Sequence, residues 1–441
     1  MTRKNIIKIA LLVILFAKIN NIKAQQIFSN LDSLLQYATL NSRSLYAGEI
    51  RLDQAKRAKL ATLVGIADPA GGATFTYTNN TRLPVNLFPA EIFGGDPGTF
   101  TEIQTGVQYV SNQNFYAEIK LLNLQGWENL KLYKLNIDAT NTSNKLNVKR
   151  FYENIAAIYY NIINLQEQRL AATENRIVAD TLRQITQRKY EQGIVNQQDV
   201  NNAIVNYLNT EESIRQAEFM IAQQYLALKI LCDISENDSI YINENIITQP
   251  LAESLPIELN ELNVNSNLLQ EKVSFSNYRR LKLGIAPTVS LFLSQTNQQF
   301  NTRARLFDGD VRWIPSNYIG IKINIPLPAA NLLSQIHSAK YEYQLALNNT
   351  AQTRIQSNLQ QTQLRVNYDK AVSQLAVNEQ IYNIRQDTYN KNLLNYKEGI
   401  IGMEQTLQSF NDTVNSQYNL IAAKINVLLA QANININNKV K

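Results

Sequence analysis

RKYEQGIVNQQDV, residues Arg188–Val200, returns in outline about two hundred residues later as LNYKEGIIGMEQTL, residues Leu394–Leu407. Both stretches contain Tyr-x-x-Gly-Ile, and each lies between long segments that have few Gly or Pro residues. Because glycine tolerates a positive φ, it often occupies the position where a helix ends. We therefore predict that this chain forms the same helix–turn–helix hairpin twice.

Two further pairs of segments indicate an internal duplication of the whole chain. FYAEIKLLNL (Phe115–Leu124) resembles NYIGIKINIP (Asn317–Pro326), with the same aromatic-Ile-Lys spacing. The runs GATFTYT (Gly72–Thr78) and PTVSLFL (Pro287–Leu293) have the alternation expected of short strands. All pairs are about 200 residues apart and occur in the same order, which indicates two structural repeats.

Each repeat is predicted to run helix, strand, strand, very long helix, turn, helix. The first repeat covers residues 25–256 and the second covers residues 257–441. A polar segment from about 233 to 283 is interpreted as an equatorial belt between the repeats, and the last nine residues as frayed. We predict strands at about 72–79, 115–124, 287–295 and 317–326, long helices at about 125–192 and 329–398, and a last helix at about 403–435.

Residues 1–24 have the features of a secretory signal peptide. Arg3, Lys4 and Lys8 form a basic start, Ile9–Ala17 form a short apolar core, and Ala24 is a small residue suited to cleavage. The apolar run is shorter than the roughly 20 residues that a membrane-spanning helix needs. We expect an exported protein without a helical anchor; an uncleaved anchor is the alternative.

The composition argues against several functional classes. Cys232 and His337 are the only cysteine and histidine, so the chain has no Cys–His or His-rich metal cluster and no disulfide framework. No nucleophile elbow or P-loop is present. The 42 basic and 36 acidic residues are interspersed, which argues against nucleic-acid binding. We therefore expect no enzyme activity, no cofactor and no metal site.

The predicted strands have one apolar and one polar face. In a soluble sandwich the apolar face would pack on another sheet, whereas in an outer-membrane barrel it would contact lipid. Long, turn-rich segments between the strands, at 79–114 and 296–316, favour the barrel. The alternation is clearest in the last strand, where Ile319, Ile321, Ile323 and Ile325 oppose Tyr318, Gly320, Lys322 and Asn324.

Four strands are too few for a closed barrel, which needs about eight. Open edges in lipid would leave unpaired backbone groups at a cost of several kcal/mol each. Several chains must therefore share one barrel, and three chains would supply twelve strands. Helices of roughly 65 to 70 residues, about 100 Å long, exceed what a compact core needs. The predicted fold class is mainly α with membrane β: a long antiparallel α-helical barrel plus four strands per chain.

This arrangement resembles the TolC family of outer-membrane efflux and secretion channels over nearly the whole chain from about Gln25. The run YEQGIVNQQDVNNA is similar to the first tip turn of the family. The resemblance implies a homotrimer with a twelve-stranded barrel in the outer membrane of a Gram-negative bacterium and a helical tunnel through the periplasm. It also implies that a periplasmic adaptor protein and an inner-membrane transporter dock at the helix tips.

The resemblance implies a periplasmic gate at the tips. The family's gate Asp and Tyr match Asp199 and Tyr396, whereas its Arg position holds Ile401. The positions of the family's acidic ring hold Gln405 and Gln408, which puts cation selectivity in doubt. A helix N-cap is the alternative role for Asp199. The implied adaptor-docking tips comprise Tyr190, Gly193, Ile194, Val195, Tyr396, Gly399, Ile400 and Ile401.

The implied function is a subunit of an outer-membrane channel that gives passive passage from the periplasm to the exterior. It would serve a tripartite efflux pump or a type I secretion system. The alternative is an exported structural coiled-coil stalk or fibre without channel activity. That alternative explains the helices and the signal peptide but not the duplicated strands.

Overall fold

A computed structural model describes residues 25–243, 256–305, 309–327 and 329–441. The predicted signal peptide, 1–24, and part of the predicted belt, 244–255, lie outside these residues. The helices are α1 (Leu31–Asn41), α2 (Arg43–Ala67), α3 (Leu124–Glu191), α4 (Gln197–Leu231), α5 (Leu262–Leu283), α6 (Ala330–Lys397) and α7 (Met403–Lys439). The strands are β1 (Gln25–Phe28), β2 (Ala70–Asn79), β3 (Val85–Pro89), β4 (Phe100–Gln104), β5 (Tyr109–Leu122), β6 (Ser239–Ile242), β7 (Thr288–Asn301) and β8 (Ile314–Asn324).

The chain divides into two compact units. The helical unit comprises the described residues up to Ile50 together with Asn141–Ser266 and Ala351–Lys441. The sheet unit comprises Arg51–Thr140 and Asn267–Thr350. The boundary between the predicted repeats near residue 256 stays a prediction.

The sheet unit contains an antiparallel sheet with the order β2-β5-β7-β8. All four strands were predicted, but three of them extend into the segments predicted as loops. Strands β5 and β8 begin three to six residues earlier than predicted, and β7 ends six residues later. The polar run TNQQFN at the end of β7 continues the ladder, because Asn301 pairs with Tyr109 on β5. The predicted loops 79–114 and 296–316 are therefore too long.

The two faces of this sheet differ as the alternation predicted. One face carries cross-strand rows of apolar residues, such as Ala117–Leu293–Ile319 and Ile119–Leu291–Ile321. On the other face Phe292 interrupts the polar residues. A Cβ on Gly320 would lie 2.8 Å from the Phe292 ring, so this glycine makes room for the ring.

The segment between β2 and β5 is not a plain loop. Strands β3 and β4 form an antiparallel hairpin that is closed by a short 3₁₀ helix, Ala90–Phe93. Sequence reasoning missed this hairpin because its strands have only five residues each. A second missed feature is the parallel pairing of β1 with β6. Of these two strands, β6 lies in the described part of the predicted belt.

The largest apolar core of the helical unit is built from α1, α3, α4 and α7. Leu34, Ile155, Tyr159 and Leu228 are fully buried in it. Apolar residues at three- and four-residue spacing in α3 supply the largest share of this core. Cys232 is buried in the same core, and burial raises the pKa of its thiol to about 12.

The C-terminal residues, which we expected to be frayed, are helical and well packed. Helix α7 runs to Lys439, and Ile434 and Ile436 are buried. The Asn260 amide donates to the backbone oxygens of Asn437 and Val440, both at 2.7 Å. The polar composition predicted fraying, but these residues are ordered because the distant segment 256–260 lies beside them and supplies hydrogen-bond partners.

Among the described residues, no helix combines the length and the apolar character needed to cross a membrane.

We expect Asn260→Ala to lower the free energy of unfolding of the helical unit by about 2 kcal/mol or more. Two backbone carbonyls lose their donor, and each buried polar group left unpaired costs about 1 to 3 kcal/mol. Chemical denaturation and limited proteolysis of the C-terminus measure the effect. Asn435→Ala is the control, because this asparagine is exposed on the same helix. Equal unfolding midpoints for the two variants would contradict the role given to Asn260.

Candidate functional site at the two helix turns

The two predicted turns have the same backbone geometry. Gly193 and Gly399 have φ values of 73° and 77°. Each glycine N–H donates to a tyrosine carbonyl three residues back, Tyr190 at 2.9 Å and Tyr396 at 3.1 Å. The following isoleucine N–H donates to a carbonyl five residues back at 2.8 Å in both turns. This pair of bonds is the Schellman motif, in which glycine ends the helix in a left-handed conformation.

The helices that follow the turns begin differently. Asn196 caps α4, and its side chain accepts a hydrogen bond from the Asp199 N–H at 2.9 Å. The Asp199 carboxylate accepts in return from the Asn196 N–H at 3.4 Å, which completes a capping box. Gly402 begins α7 without a side-chain cap. Asp199 is therefore the third helical residue of a capping box and not the N-cap itself, which is Asn196. Its gate role stays a prediction.

The two equivalent tyrosines have opposite environments. The Tyr190 side chain is 40% exposed, whereas Tyr396 is 1% exposed. Tyr396 packs in an apolar cluster with Leu182, Ala203 and Met403, and Ile401 packs against this cluster. Ile401, which the resemblance aligned with an Arg of the family, thus contributes to apolar packing in this chain.

The Tyr396 hydroxyl has a hydrogen-bond partner inside its own chain. It lies 3.0 Å from the Thr186 hydroxyl, which itself donates to the Leu182 carbonyl at 2.8 Å, so the tyrosine is the donor. Burial raises the pKa of the Tyr396 phenol, the Thr186 bond lowers it, and the charge of Asp199 raises it. The phenol therefore remains a neutral hydrogen-bond donor at neutral pH.

Lys189 connects the two turns, and sequence reasoning missed it. Its ammonium donates to the Tyr396 carbonyl and lies 4.7 Å from the centre of the Tyr396 ring. The side chain is buried although it carries a charge. Its position at the C-terminal end of α3 was a usable signal, because cations at helix C-termini often bind carbonyls. The equivalent residue in the second turn is Asn395, so this contact exists once.

The other predicted gate residues lie on the first turns of α7. Gln405 and Gln408 are both exposed, and so is Glu404. The Gln408 amide donates to Asp412 at 3.0 Å, and Arg385 pairs with the same carboxylate at 2.8 Å. Asp412 is a carboxylate one helical turn beyond Gln408 that sequence reasoning did not consider.

Both turns have an exposed apolar side chain directly after the glycine. Ile194 is 60% exposed and Ile400 is 70% exposed, while Val195 and Ile401 are partly buried. Within the described parts of the chain, no group of three or more His, Cys, Asp and Glu side chains is arranged to hold a metal ion. The turns therefore combine buried hydrogen bonds with exposed apolar side chains.

Comparison with solved structures finds similar folds over almost the whole chain. The outer membrane protein VceC from Vibrio cholerae has a TM-score of 0.73 and 16% identity over 92% of this chain and 95% of that chain. The CmeC outer membrane channel of Campylobacter jejuni has a TM-score of 0.68 and 15% identity over 95% and 89%. The MtrE outer membrane channel of Neisseria gonorrhoeae has a TM-score of 0.68 and 13% identity over 93% and 88%.

No family model matches the sequence, and no curated protein matches it. The similarity is therefore one of structure at low sequence identity. The chain has the fold of outer-membrane channel proteins, the fold that the resemblance to the TolC family implied.

Proposed function

We propose that this protein is the subunit of a homotrimeric outer-membrane channel that gives passive passage from the periplasm to the exterior. The observation that carries the proposal is the sheet β2-β5-β7-β8. Its apolar face is solvent-exposed in the single chain at Ile319, Ile321 and Ile323. Strands β2 and β8 each have one partner in this sheet. Lipid would contact such an apolar face favourably, and strands of further copies would pair with the backbone groups at such edges.

The alternative is an exported coiled-coil stalk or fibre. The 68-residue helices α3 and α6 fit either function. A stalk in water gives no physical reason for a sheet with an exposed apolar face. The fold shared with outer-membrane channels also favours the channel.

We expect Ile321→Lys to reduce the fraction of protein inserted in the outer membrane. A lysine on the lipid face of a barrel costs about 2 to 4 kcal/mol near the membrane centre. Tyr318→Lys is the matched control, because it places the same cation on the polar face. Membrane fractionation and conductance in planar bilayers measure the outcome. A wild-type protein that stays in solution without detergent and gives no conductance would contradict the channel.

We further propose that the channel is gated at the tips of α3/α4 and α6/α7, where Asp199, Tyr396, Gln405 and Gln408 lie. In the closed state, Lys189 and Thr186 hold Tyr396 and so keep the second hairpin against α3. These contacts support the proposal because one buried ammonium and one hydroxyl fix the end of α6. Opening then requires that this pair of contacts breaks.

We expect Lys189→Met to increase leak through the channel. The substitution keeps an unbranched side chain that is only one atom shorter, but removes a charge-assisted hydrogen bond worth about 1.5 to 3 kcal/mol. Single-channel conductance and uptake of large antibiotics measure the leak. Arg188→Met is the control, because Arg188 is exposed in the same turn of helix. A closed-state conductance equal to that of the wild type would show that Lys189 does not hold the gate.

We propose that the exposed tip residues Tyr190, Ile194 and Ile400 bind a periplasmic adaptor protein, through which an inner-membrane transporter delivers its substrate. The tips would then serve a tripartite efflux pump or a type I secretion system. Their exposure and apolar character support this proposal. The partly buried Val195 and Ile401 contribute by fixing the turns rather than by direct contact.

We expect the double variant Ile194→Asp/Ile400→Asp to abolish export while the protein still assembles in the membrane. Both side chains are exposed, so the change costs little folding energy but places charge in an apolar contact. Export assays together with cross-linking to the adaptor measure the effect. Gln192→Asp adds a charge in the same turn without removing an apolar side chain, and should leave export intact. Normal export by the double variant would argue against docking at the tips.

A further inference from the structure

The sheet unit contains an amphipathic cavity that the channel function does not use. It has a volume of about 750 Å³ and lies beside the C-terminal end of α5. The size is within the range of cavities that hold one small ligand. Phe275, Tyr278, Leu283 and Ile285 give it an apolar wall.

Two cations line the same cavity. Arg279 and Lys282 are exposed and lie three residues apart, on one face of α5 with Phe275 and Tyr278. The lining residues include no carboxylate. The cavity therefore combines positive charge with an apolar surface.

A buried carboxylate positions one of these cations. Glu128 on α3 is almost fully buried and accepts a hydrogen bond from Ser276 at 2.8 Å. The Arg279 guanidinium lies 3.6 Å from the same carboxylate and 6.0 Å from the Phe275 ring. Lys131 lies 4.0 Å from the same carboxylate, so Glu128 has two cationic neighbours. Arg279 is thus held by two contacts while its side chain stays about half exposed.

The cavity lies where the sheet begins. Ile285 and Ala286 line it and lie three and two residues before Thr288, the first residue of β7. Trp127, in the first turn of α3, is largely exposed. Exposed tryptophan and basic residues next to a membrane strand are typical of the interface between lipid and water.

We propose that this cavity binds the headgroup of an anionic phospholipid, with the phosphate between Arg279 and Lys282 and an acyl chain against the apolar wall. The inference rests on the proposed membrane location of the sheet. A free phosphate ion would use the two cations but not the apolar wall. The lipid would fix the depth of the sheet in the membrane at the junction of α5 and β7.

The test is titration of the purified, delipidated full-length protein with phosphatidylglycerol, followed by native mass spectrometry. Wild type is expected to bind about one lipid per chain, and to bind phosphatidylcholine more weakly. Each cation beside an anionic lipid strengthens binding about fivefold, so Arg279→Gln/Lys282→Gln should weaken it about 25-fold. Arg280→Gln/Lys272→Gln is the control, because it removes the same charge from α5 outside the cavity.

Four results would overturn the inference, and the first three concern the occupant of the cavity. The first is that the double variant binds phosphatidylglycerol as tightly as the control variant does. The second is that inorganic phosphate displaces the lipid at equal concentration. The third is that Ile285→Cys forms a disulfide between copies. This third result would mean that a second copy fills the cavity. A protein that conducts ions but binds no phosphatidylglycerol overturns this inference alone, whereas a soluble, non-conducting protein overturns the proposed channel.

Discussion

Backbone N–H and C=O groups that border lipid have to be paired, because the hydrocarbon offers no other donor or acceptor. The sheet satisfies this requirement for β5 and β7, which have partners on both sides. Strands β2 and β8 have one partner each in the sheet, and its apolar face is exposed in the single chain. In the proposed channel, β8 of one copy pairs with β2 of the next. Assembly is then a condition of insertion, and the polar face with Glu118 and Lys322 lines water.

Local sequence determines the long helices, and it predicted them to within one or two residues. Helices α3 and α6 run from Leu124 to Glu191 and from Ala330 to Lys397 because no Pro interrupts them and a glycine follows each. The strand ends and the C-terminal tail were not predictable in the same way. The polar end of β7 becomes a strand only because β5 supplies a ladder partner. The last turns of α7 are ordered because Asn260 reaches their carbonyls from a distant part of the sequence. Both outcomes depend on tertiary contacts, which a local pattern does not contain.

In the candidate site, too, local sequence predicted the backbone, whereas tertiary contacts decide the environments of the side chains. The glycine spacing predicted two equivalent turns, and the Schellman bonds at Gly193 and Gly399 have matching patterns. The different environments of Tyr190 and Tyr396 could not be predicted from that spacing. They follow from Lys189 and Thr186, which lie on α3 and reach the end of α6. A duplicated sequence can therefore give one turn an exposed aromatic surface and the other a buried anchor without any change in backbone.

The electrostatics of the two helix ends explain why a cation is favourable at these turns. Helices α3 and α6 both end at these turns, and the C-terminal end of a helix carries a partial negative charge. The Lys189 ammonium belongs to the last turn of α3 and donates to a carbonyl in the last turn of α6. The buried ammonium of Lys189 thus compensates the partial negative charges at the ends of both α3 and α6. Lys189 itself belongs to the first hairpin. Asp199 acts at the opposite kind of terminus, where its negative charge stabilises the start of α4, and after burial it is a smaller cause of the raised pKa of the Tyr396 phenol. The position of the second hairpin therefore depends on side chains of the first, which is the coupling that the proposed gate requires.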